Sequence, residues 1–388
     1  MRHFEHFDAA DRERLFFREP QPFDRESDPL LLGTALGGTL YSPATRPNLA
    51  RDVVKQAAHG VVSMVLCLED SIADGEVQRA EQNLVAQLRV LARSDGPLPL
   101  VFVRPRTPDQ VRMLVEQLGP DVDVLSGFVA PKFTEFSGPP FLDAVVEASE
   151  RIGRKLWIMP VLESTDIAYL ESRAGALAAL RELLGKHREH VLAVRIGGTD
   201  LSACFGLRRT RDLSIYDLGP VASVIGDVVN VLGHRTGGEG FVVTGPVWEY
   251  FAGQERLLKP QLRESPFNAH HEGELRTRLI EENLDGLIRE VLLDRANGLT
   301  GKTVIHPSHV AAVHALCAVA HEEYLDAQDV LAVGEAGGGV SASGFRNKMN
   351  EGKPHRAWAV RVLRQAHVYG VTRSGISAVD LLAQGLAW

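Results

Sequence analysis

Cysteine is scarce in this 388-residue sequence, and its three copies are widely separated at Cys67, Cys204 and Cys317. The number is odd and no Cys-x-x-Cys motif occurs, so the sequence argues against a disulfide framework. Few and scattered cysteines are typical of proteins from a reducing compartment. We therefore expect a cytoplasmic protein.

Long apolar runs and an excess of positive charge are absent as well. No apolar run approaches the roughly 20 residues of a membrane span, and residues 1–29 lack the apolar core of a signal peptide. Asp and Glu outnumber Lys and Arg by 50 to 42, which gives a net charge of −8. Without a basic tract, we expect neither a nucleic acid nor a membrane as a partner.

Short apolar segments alternate regularly with longer segments of helical periodicity. Several of these segments are continuously apolar, as expected of parallel strands that are buried on both faces. The predicted strands are residues 37–43, 62–68, 98–104, 124–131, 156–162, 191–196, 241–245 and 302–306. The predicted helices between them include residues 76–92, 108–118, 140–152, 165–187, 218–232, 275–295 and 308–321.

Eight strand–helix pairs in succession predict an α/β protein with a (β/α)8 TIM barrel. An open doubly wound sheet is the alternative, since periodicity does not report closure. No Gly-x-Gly-x-x-Gly motif follows the first strand, which argues against the dinucleotide-binding form of that sheet.

The chain is longer than the roughly 250 residues of a typical single barrel. We predict three parts: an N-terminal arm at residues 1–29, a catalytic barrel at residues 30–321 and a C-terminal helical extension at residues 322–388. The glycine-rich residues 337–344 predict a hinge or a flexible loop within the extension.

Ionisable residues follow most of the predicted strands directly, at the barrel rim where catalytic groups gather. These residues are Glu69, Asp70, Arg104, Lys132, Glu163, Asp200 and His306. Carboxylates mixed with cations at one rim indicate a hard divalent metal together with an anionic substrate. Mg²⁺ prefers one or two carboxylates and keeps several water or substrate oxygens. We predict Glu163 and Asp200 as its ligands, because they end adjacent strands.

The remaining rim residues receive substrate-binding or catalytic roles. Arg104 is predicted to bind a carboxylate or an enolate oxygen bidentately. The turn at Gly197, Gly198 and Thr199 is predicted to offer backbone N–H groups to a bound carboxylate. Lys132 and His306 are further candidate substrate contacts. Glu69 and Asp70 are candidates for proton transfer.

Structural roles remain open for several of these residues. Glu69 and Asp70 suit a helix cap or an ion pair equally well. Lys132 fits either a Schiff-base nucleophile or a charge-balancing cation, and His306 fits a histidine that bonds the backbone. The run of residues 208–211 suits either a phosphate site or a solvated loop.

The same segments resemble the HpcH/HpaI aldolase and citrate lyase β-subunit superfamily over about residues 37–320. The shorter matching motifs are Leu68-Glu69-Asp70-Ser71-Ile72, Val103-Arg104, Pro131-Lys132 and Val161-Leu162-Glu163. The most specific are Gly197-Gly198-Thr199-Asp200-Leu201-Ser202 and Gly301-Lys302-Thr303-Val304-Ile305-His306-Pro307. The resemblance implies a TIM barrel that binds Mg²⁺ through Glu163 and Asp200 and makes or breaks carbon–carbon bonds of small carboxylates or acyl-CoA thioesters. It also implies a homo-oligomer, either a trimer or a hexamer.

The resemblance extends more faintly into the C-terminal extension. In the acyl-CoA lyases of the superfamily, a C-terminal segment reaches a neighbouring subunit and supplies a catalytic aspartate. Here Glu351 stands at the matching place, after one inserted residue. The long N-terminal arm and the total length are closer to the citrate-lyase-like carbon–carbon bond lyases of tellurium-resistance and stress-response gene clusters.

The sequence therefore predicts a Mg²⁺-dependent carbon–carbon lyase or aldolase that works through an enolate. Two alternatives remain. One is a phosphoenolpyruvate-type barrel enzyme, which needs the same stabilisation of an enolate. The other is a catalytically altered metal-binding barrel that acts as a ligand sensor or scaffold, which the departure at Glu351 keeps open.

Overall fold

A computed structural model of the chain describes residues 1–233, 240–251, 284–335 and 339–385. The strands of the described residues are β1 (Phe16–Arg18), β2 (Gly38–Pro43), β3 (Ser63–Cys67), β4 (Leu100–Arg104), β5 (Gly127–Ala130), β6 (Trp157–Leu162), β7 (Val194–Ile196), β8 (Val243–Thr244), β9 (Lys302–Val304), β10 (Val340–Ala342), β11 (Met349–Glu351) and β12 (Val371–Thr372).

The helices alternate with the strands along most of the chain. The α-helices of the described residues are α1 (Ala9–Leu15), α2 (Pro29–Ala35), α3 (Leu49–Ala58), α4 (Val77–Leu91), α5 (Pro108–Leu118), α6 (Gly138–Ile152), α7 (Thr165–Ala168), α8 (Leu170–Lys186), α9 (Gly198–Ala203), α10 (Gly219–Leu232), α11 (Leu284–Ala296), α12 (Ser308–Cys317), α13 (His321–Glu335), α14 (Arg356–Tyr369) and α15 (Ala378–Gly385).

Strands β2 to β9 form one parallel sheet in sequential order, with β2 paired to β9. A further bridge joins Gly245, directly after β8, to Lys302 at the start of β9. The eight strands therefore close into a ring, which confirms the predicted TIM barrel and excludes the open sheet. Strands β3, β5 and β6 are buried along their whole length, which explains their continuously apolar sequences.

Local sequence signals set the ends of the helices between the strands. Helix α5 begins after Thr107, whose side chain accepts a hydrogen bond from the backbone N–H of Gln110, and Pro108 occupies its first position. The helix ends at Gly119, whose φ of 55° favours glycine. Both ends match the predicted range of residues 108–118.

Two predicted helices differ from the structure, and a third is described only in part. The helix predicted at 165–187 is broken at Tyr169, whose backbone is extended, and the helix predicted at 308–321 ends at Cys317. The break near residue 319 arises because Val319 forms a bridge with Val371. Helix α11 begins at Leu284, and the earlier residues of the predicted helix at 275–295 lie outside the described residues.

The N-terminal residues pack against the barrel. Phe4, Phe7, Phe16 and Phe23 are buried in the same apolar core as the barrel strands and helices. Strand β1 also pairs antiparallel with β12 near the C-terminus. The two ends of the chain therefore meet on one side of the barrel, and the predicted division at residue 29 stays a prediction.

The C-terminal extension carries a β-hairpin between two helices. Helices α13 and α14 pack through a separate small apolar cluster that includes Tyr324, Val330 and Val362. Strands β10 and β11 pair antiparallel, so the flexible loop predicted over residues 337–344 is wrong for residues 340–342. Residues 337 and 338 lie outside the described residues. No helix of the described residues is long and apolar enough to cross a membrane.

Candidate active site

A cavity of about 570 Å³ lies at the carboxyl ends of the barrel strands. Its walls combine charged groups from several strand ends with apolar side chains such as Val161, Ile196 and Ile305. The polar and charged residues of the lining are Tyr41, Ser42, Asp70, Ser71, Arg104, Glu163, Arg195, Thr199, Asp200 and Thr303. The position is the one predicted for catalytic groups in a TIM barrel.

Arg104 ends strand β4 and connects three carboxylates at the rim. Its Nη2 atom lies 2.8 Å from Glu69 Oε2, 3.2 Å from Asp70 Oδ2 and 2.9 Å from Glu163 Oε1. The buried Nε atom of Arg104 has no hydrogen-bond partner among the described residues. The structure thus brings together four residues that the sequence predicted for one site.

Lys132 adopts a left-handed backbone conformation, with a φ of 46°. This conformation is costly for a residue with a side chain, and here it aims two donors at the carboxylates. The backbone N–H donates to Glu163 Oε1 at 2.9 Å, while Nζ lies 2.5 Å from Glu69 Oε1 and 3.1 Å from Asp70 Oδ1. Lys132 therefore holds the carboxylates that follow strands β3 and β6.

The charge environment of Lys132 opposes a Schiff-base role. Burial alone would lower the pKa of its ammonium group, but the hydrogen bonds to Glu69 and Asp70 raise the pKa above its ordinary value. A Schiff-base lysine must instead lose its proton readily. The contacts of Lys132 favour the charge-balancing interpretation.

Glu163 and Asp200 are neighbours at the ends of strands β6 and β7. Glu163 follows β6 and is buried, while Asp200 lies in the first turn of helix α9. Burial raises the pKa of Glu163 to about 7; the charge of Arg104 opposes this shift, and the charge of Asp200 adds to it. A Cβ atom at Gly197 would lie only 2.1 Å from Glu163 Oε2. The absence of a side chain at Gly197 therefore makes room for the Glu163 carboxylate.

The pKa values of the adjacent carboxyl groups of Glu69 and Asp70 are shifted in opposite directions. Burial raises the pKa of Glu69, and its hydrogen bond with Asp70 adds to the increase. Burial alone would also raise the pKa of Asp70, but its hydrogen bond with Glu69 and the charges of Arg104 and Lys132 lower it. Paired groups with separated pKa values are typical of acid–base sites.

The predicted turn at Gly198 and Thr199 begins helix α9 at the cavity wall. The backbone N–H of Gly197 donates to the Leu162 carbonyl at 3.1 Å and is not available to a substrate, which corrects part of the predicted turn. Thr199 Oγ1 donates to Glu249 Oε1 at 3.0 Å. The side chain of Glu249, in the loop after β8, therefore holds this turn in place.

The arginine run at residues 208–211 is not simply a solvated loop. Arg209 is buried, forms an ion pair with Glu290 and lies 3.3 Å from Glu249. Glu290 in turn pairs with the buried Lys302. Since the guanidinium of Arg209 is committed to carboxylates, it does not provide the phosphate contact that the sequence left open.

His306 and Glu351 are not among the described residues that line the cavity. The His306 ring stacks on Phe251 with centroids 5.3 Å apart, and its Nδ1 lies 2.7 Å from Ser308 Oγ. Glu351 lies on β11 of the C-terminal hairpin, where its backbone N–H donates to His355 Nδ1 at 3.1 Å. Within one chain, the structure does not bring these two residues to the carboxylate cluster.

Sequence reasoning missed five polar residues of the cavity: Tyr41, Ser42, Ser71, Arg195 and Thr303. Arg195 lies inside strand β7, between Val194 and Ile196. A charged residue within an apolar run was the available signal. It was overlooked because the prediction considered only residues that follow a strand.

Comparisons with known proteins agree with this geometry. A model of the carbon–carbon bond lyases of the TIM-barrel fold matches residues 30–371. A search of curated protein sequences found no match.

Solved structures with the same fold include two from the citrate lyase group. A citrate lyase from Burkholderia xenovorans LB400 is 16% identical, with 91% of this chain and 96% of that chain covered and a TM-score of 0.61. The CitE protein of Mycobacterium tuberculosis, in complex with magnesium, acetoacetate and coenzyme A, is 20% identical, with coverages of 86% and 99% and a TM-score of 0.52. These likenesses support the fold, and the family match over residues 30–371 shows that the chain belongs to the carbon–carbon bond lyase family of the TIM-barrel fold.

Proposed function

We propose that this lyase requires Mg²⁺ and cleaves a carbon–carbon bond of a small carboxylate, or of its coenzyme A thioester, through an enolate. The observation that carries the proposal is the cluster in which Arg104 and Lys132 face the carboxylates of Glu69, Asp70 and Glu163. The cluster borders a cavity large enough for a small substrate. The magnesium, acetoacetate and coenzyme A bound by the Mycobacterium tuberculosis protein support this choice of metal and substrate class.

The residues present fit a magnesium ion. Glu163 and Asp200 are oxygen donors on adjacent strand ends, and their mutual repulsion contributes to the raised pKa of Glu163. A divalent cation between them would relieve that repulsion. No group of three or more His, Cys, Asp or Glu residues in the described part of the chain is arranged for a metal, which suits an ion that keeps water or substrate oxygens as further ligands. When bound, Mg²⁺ would polarise a substrate carbonyl as a Lewis acid.

Arg104 and Asp70 have complementary roles in the proposed reaction. Asp70 accepts the proton of the substrate hydroxyl, because its lowered pKa keeps it ionised. The carbon–carbon bond then breaks, its electron pair moves onto the carbonyl of the departing fragment, and the hydroxyl carbon becomes a carbonyl. The guanidinium of Arg104, which lines the cavity, donates to the developing enolate oxygen. Lys132 holds Glu69 and Asp70 in place.

The enolate carbon must finally receive a proton, and Glu351 of another copy of the chain is our candidate donor. Glu351 is not among the described residues that line its own cavity. The hairpin that carries it exposes the apolar side chains of Val340, Phe345 and Met349. We therefore propose a homo-oligomer in which the C-terminal segment reaches a neighbouring site, as the resemblance implies.

The central test is a turnover assay with a panel of β-hydroxy acids and their coenzyme A thioesters. Released 2-oxo acids or acyl-CoA would be measured with Mg²⁺ and after chelation. Glu163→Gln and Asp200→Asn should each lower kcat/KM at least about 100-fold. Glu135→Gln and Asp143→Asn, at exposed positions away from the cavity, are the matched controls. Full activity of either ligand variant, or no product from any substrate, would contradict the proposal.

A subunit-mixing experiment tests the proposed role of Glu351 separately. Asp70→Asn and Glu351→Gln homo-oligomers should both be inactive. Mixed oligomers should recover activity, because some sites then combine an intact Asp70 with an intact Glu351 from the other copy. If light scattering shows a monomer, or if mixing restores nothing, the role of Glu351 in a neighbouring site is wrong.

A further inference from the structure

Arg195 points from strand β7 into the interior of the barrel, below the proposed metal ligands. Its Nη2 donates to Thr303 Oγ1 at 2.6 Å, and its Nη1 lies 3.3 Å from Thr39 Oγ1. The guanidinium carbon lies 5.5 Å from the centre of the Tyr41 ring. Arg195 is only 1% exposed, so these neutral groups replace almost all of its hydration.

Arg195 differs from the other strongly buried cations in having no carboxylate partner. Arg104, Arg173, Arg209 and Lys302 each form an ion pair with at least one Asp or Glu. Within the described ranges, no ion pair involves Arg195, and its Nε has no hydrogen-bond partner. A buried charge that lacks a counter-charge is costly unless a ligand supplies one.

The cavity connects this arginine with the carboxylate cluster. Arg195 and Gly197 lie on the same face of the strand because side chains alternate, and Gly197 is the residue against which Glu163 packs. Arg195 is therefore one layer deeper in the barrel than the metal-binding end of the site. Tyr41 and Thr303 border the cavity with it.

We propose that Arg195, together with Tyr41 and Thr303, forms a second anion subsite that takes the distal carboxylate of a dicarboxylic substrate. This inference rests on the proposed function, since the reacting carboxylate or carbonyl end of the same molecule would lie at Arg104. The guanidinium provides planar paired donors that match two carboxylate oxygens. The hydroxyl groups of Tyr41 and Thr303 add donors at the same place. The enclosed floor suits the small end of a substrate, whereas a coenzyme A group would remain at the mouth.

Binding of succinate and butyrate to the full-length protein tests this subsite without requiring turnover. Both probes have four carbons, and they differ by one terminal carboxylate. With Mg²⁺ present, calorimetry should show that the wild-type chain binds succinate at least about tenfold more tightly than butyrate, which corresponds to about 1.4 kcal/mol. Arg195→Gln should remove this preference while leaving butyrate affinity within about twofold. Arg195→Lys should retain only part of it, because lysine lacks the paired donors.

Three further variants make the result specific. Arg208→Gln removes an exposed cation that is not among the described cavity residues, so it controls for general electrostatic attraction and should keep the preference for succinate. Tyr41→Phe and Thr303→Val retain Arg195 and should weaken succinate binding by about threefold each. These two variants keep the proposal testable if Arg195→Gln does not fold, which circular dichroism would report.

The outcomes separate this inference from the proposed function. Equal binding of succinate and butyrate by the wild-type chain, or a preference that persists in Arg195→Gln, overturns the second subsite. A preserved preference with no turnover of any substrate leaves the subsite standing and contradicts the lyase mechanism instead. Turnover of dicarboxylic substrates with a kcat/KM that is insensitive to Arg195→Gln contradicts the subsite alone.

Discussion

The substitution Gly197→Ala tests how strongly activity depends on the position of the Glu163 carboxylate, because it displaces this group and leaves its chemistry unchanged. Gly197 has φ and ψ of −88° and 78°, so alanine does not meet the penalty of a left-handed backbone. Its added methyl group would instead lie 2.1 Å from Glu163 Oε2 and 2.4 Å from Glu163 Cβ. Because Cβ is attached to the backbone, a rotation of the side chain cannot relieve the contact.

The size of the required movement gives the expected effect. Ordinary contacts of a Cβ atom begin near 3.4 Å, so the ends of β6 and β7 must separate by about 1 Å, a misplacement that is able to cost about 100-fold in rate. We expect kcat/KM to fall by about that factor. Titration with Mg²⁺ alone should also show weaker binding, because Glu163 and Asp200 move apart.

Gly226→Ala is the matched control for this substitution. Gly226 lies in the middle of helix α10, and an added Cβ would meet nothing within 4 Å. Alanine there should stabilise the protein by up to about 1 kcal/mol without changing turnover or Mg²⁺ affinity. If Gly197→Ala folds and retains both wild-type turnover and wild-type Mg²⁺ affinity, Glu163 does not depend on this packing and the site geometry is wrong.

Three further predictions concern buried ionisable residues outside the cavity. Burial lowers the pKa of His3 to about 3 and that of His314 well below its ordinary value. The unfolded chain therefore binds more protons below pH 6.5, and His3 alone should cost about 2 kcal/mol of unfolding free energy at pH 5, with a further loss from His314, as measured by denaturant titration. Lys302→Met leaves the buried Asp294 without a cation, while Glu290 keeps its ion pair with Arg209, and should destabilise the chain by about 3–5 kcal/mol in the same assay. Asp326→Ala removes the acceptor that holds the C-terminal hairpin, and hydrogen exchange should accelerate in residues 340–351 while the barrel strands remain protected.

Each of these predictions has a direct control. His314→Leu should flatten the dependence of stability on pH between 6.5 and 5, and an unchanged slope would show that His314 does not remain neutral when buried. Asp294→Asn should recover part of the stability lost in Lys302→Met, because Asp294 is the other carboxylate beside Lys302. Uniform acceleration of exchange across the whole Asp326→Ala chain would mean that the hairpin does not open independently.

The fold was predictable because its signals are local and repeated. Parallel strands buried on both faces need continuous apolar runs, and helix α5 has a proline at its start and a glycine at its end. The break of the predicted helix at Tyr169 had no such signal. It depends on distant contacts, since the Tyr169 hydroxyl donates to the carbonyl of Cys204 and the guanidinium of Arg173 binds the carbonyls of Ile167 and Ala168.

The packing of the N-terminal residues was unpredictable for a different reason. Phe4, Phe7, Phe16 and Phe23 have neither helical nor strand spacing, so no periodic pattern identified them as core residues. Their burial depends on the C-terminal extension. Strand β12 pairs with β1, and the hydroxyl of Tyr369 in α14 donates to the Thr34 carbonyl at 2.7 Å.

In the candidate site, the residues at the strand ends could be predicted from the sequence, whereas the residues deeper inside the barrel could not. Residues at strand ends were predictable, because the carboxyl ends of all parallel strands in a barrel face one rim, and the sequence shows where each strand ends. Depth within the barrel is set by the alternation of side chains along each strand and by the residues on the opposite wall. The proposed role of Arg195 therefore depends on its contacts with Thr39, Tyr41 and Thr303, which lie on other strands of the barrel. A cation inside an apolar strand of such a barrel indicates either a carboxylate on the opposite wall or an anionic ligand, and here the described residues provide no carboxylate.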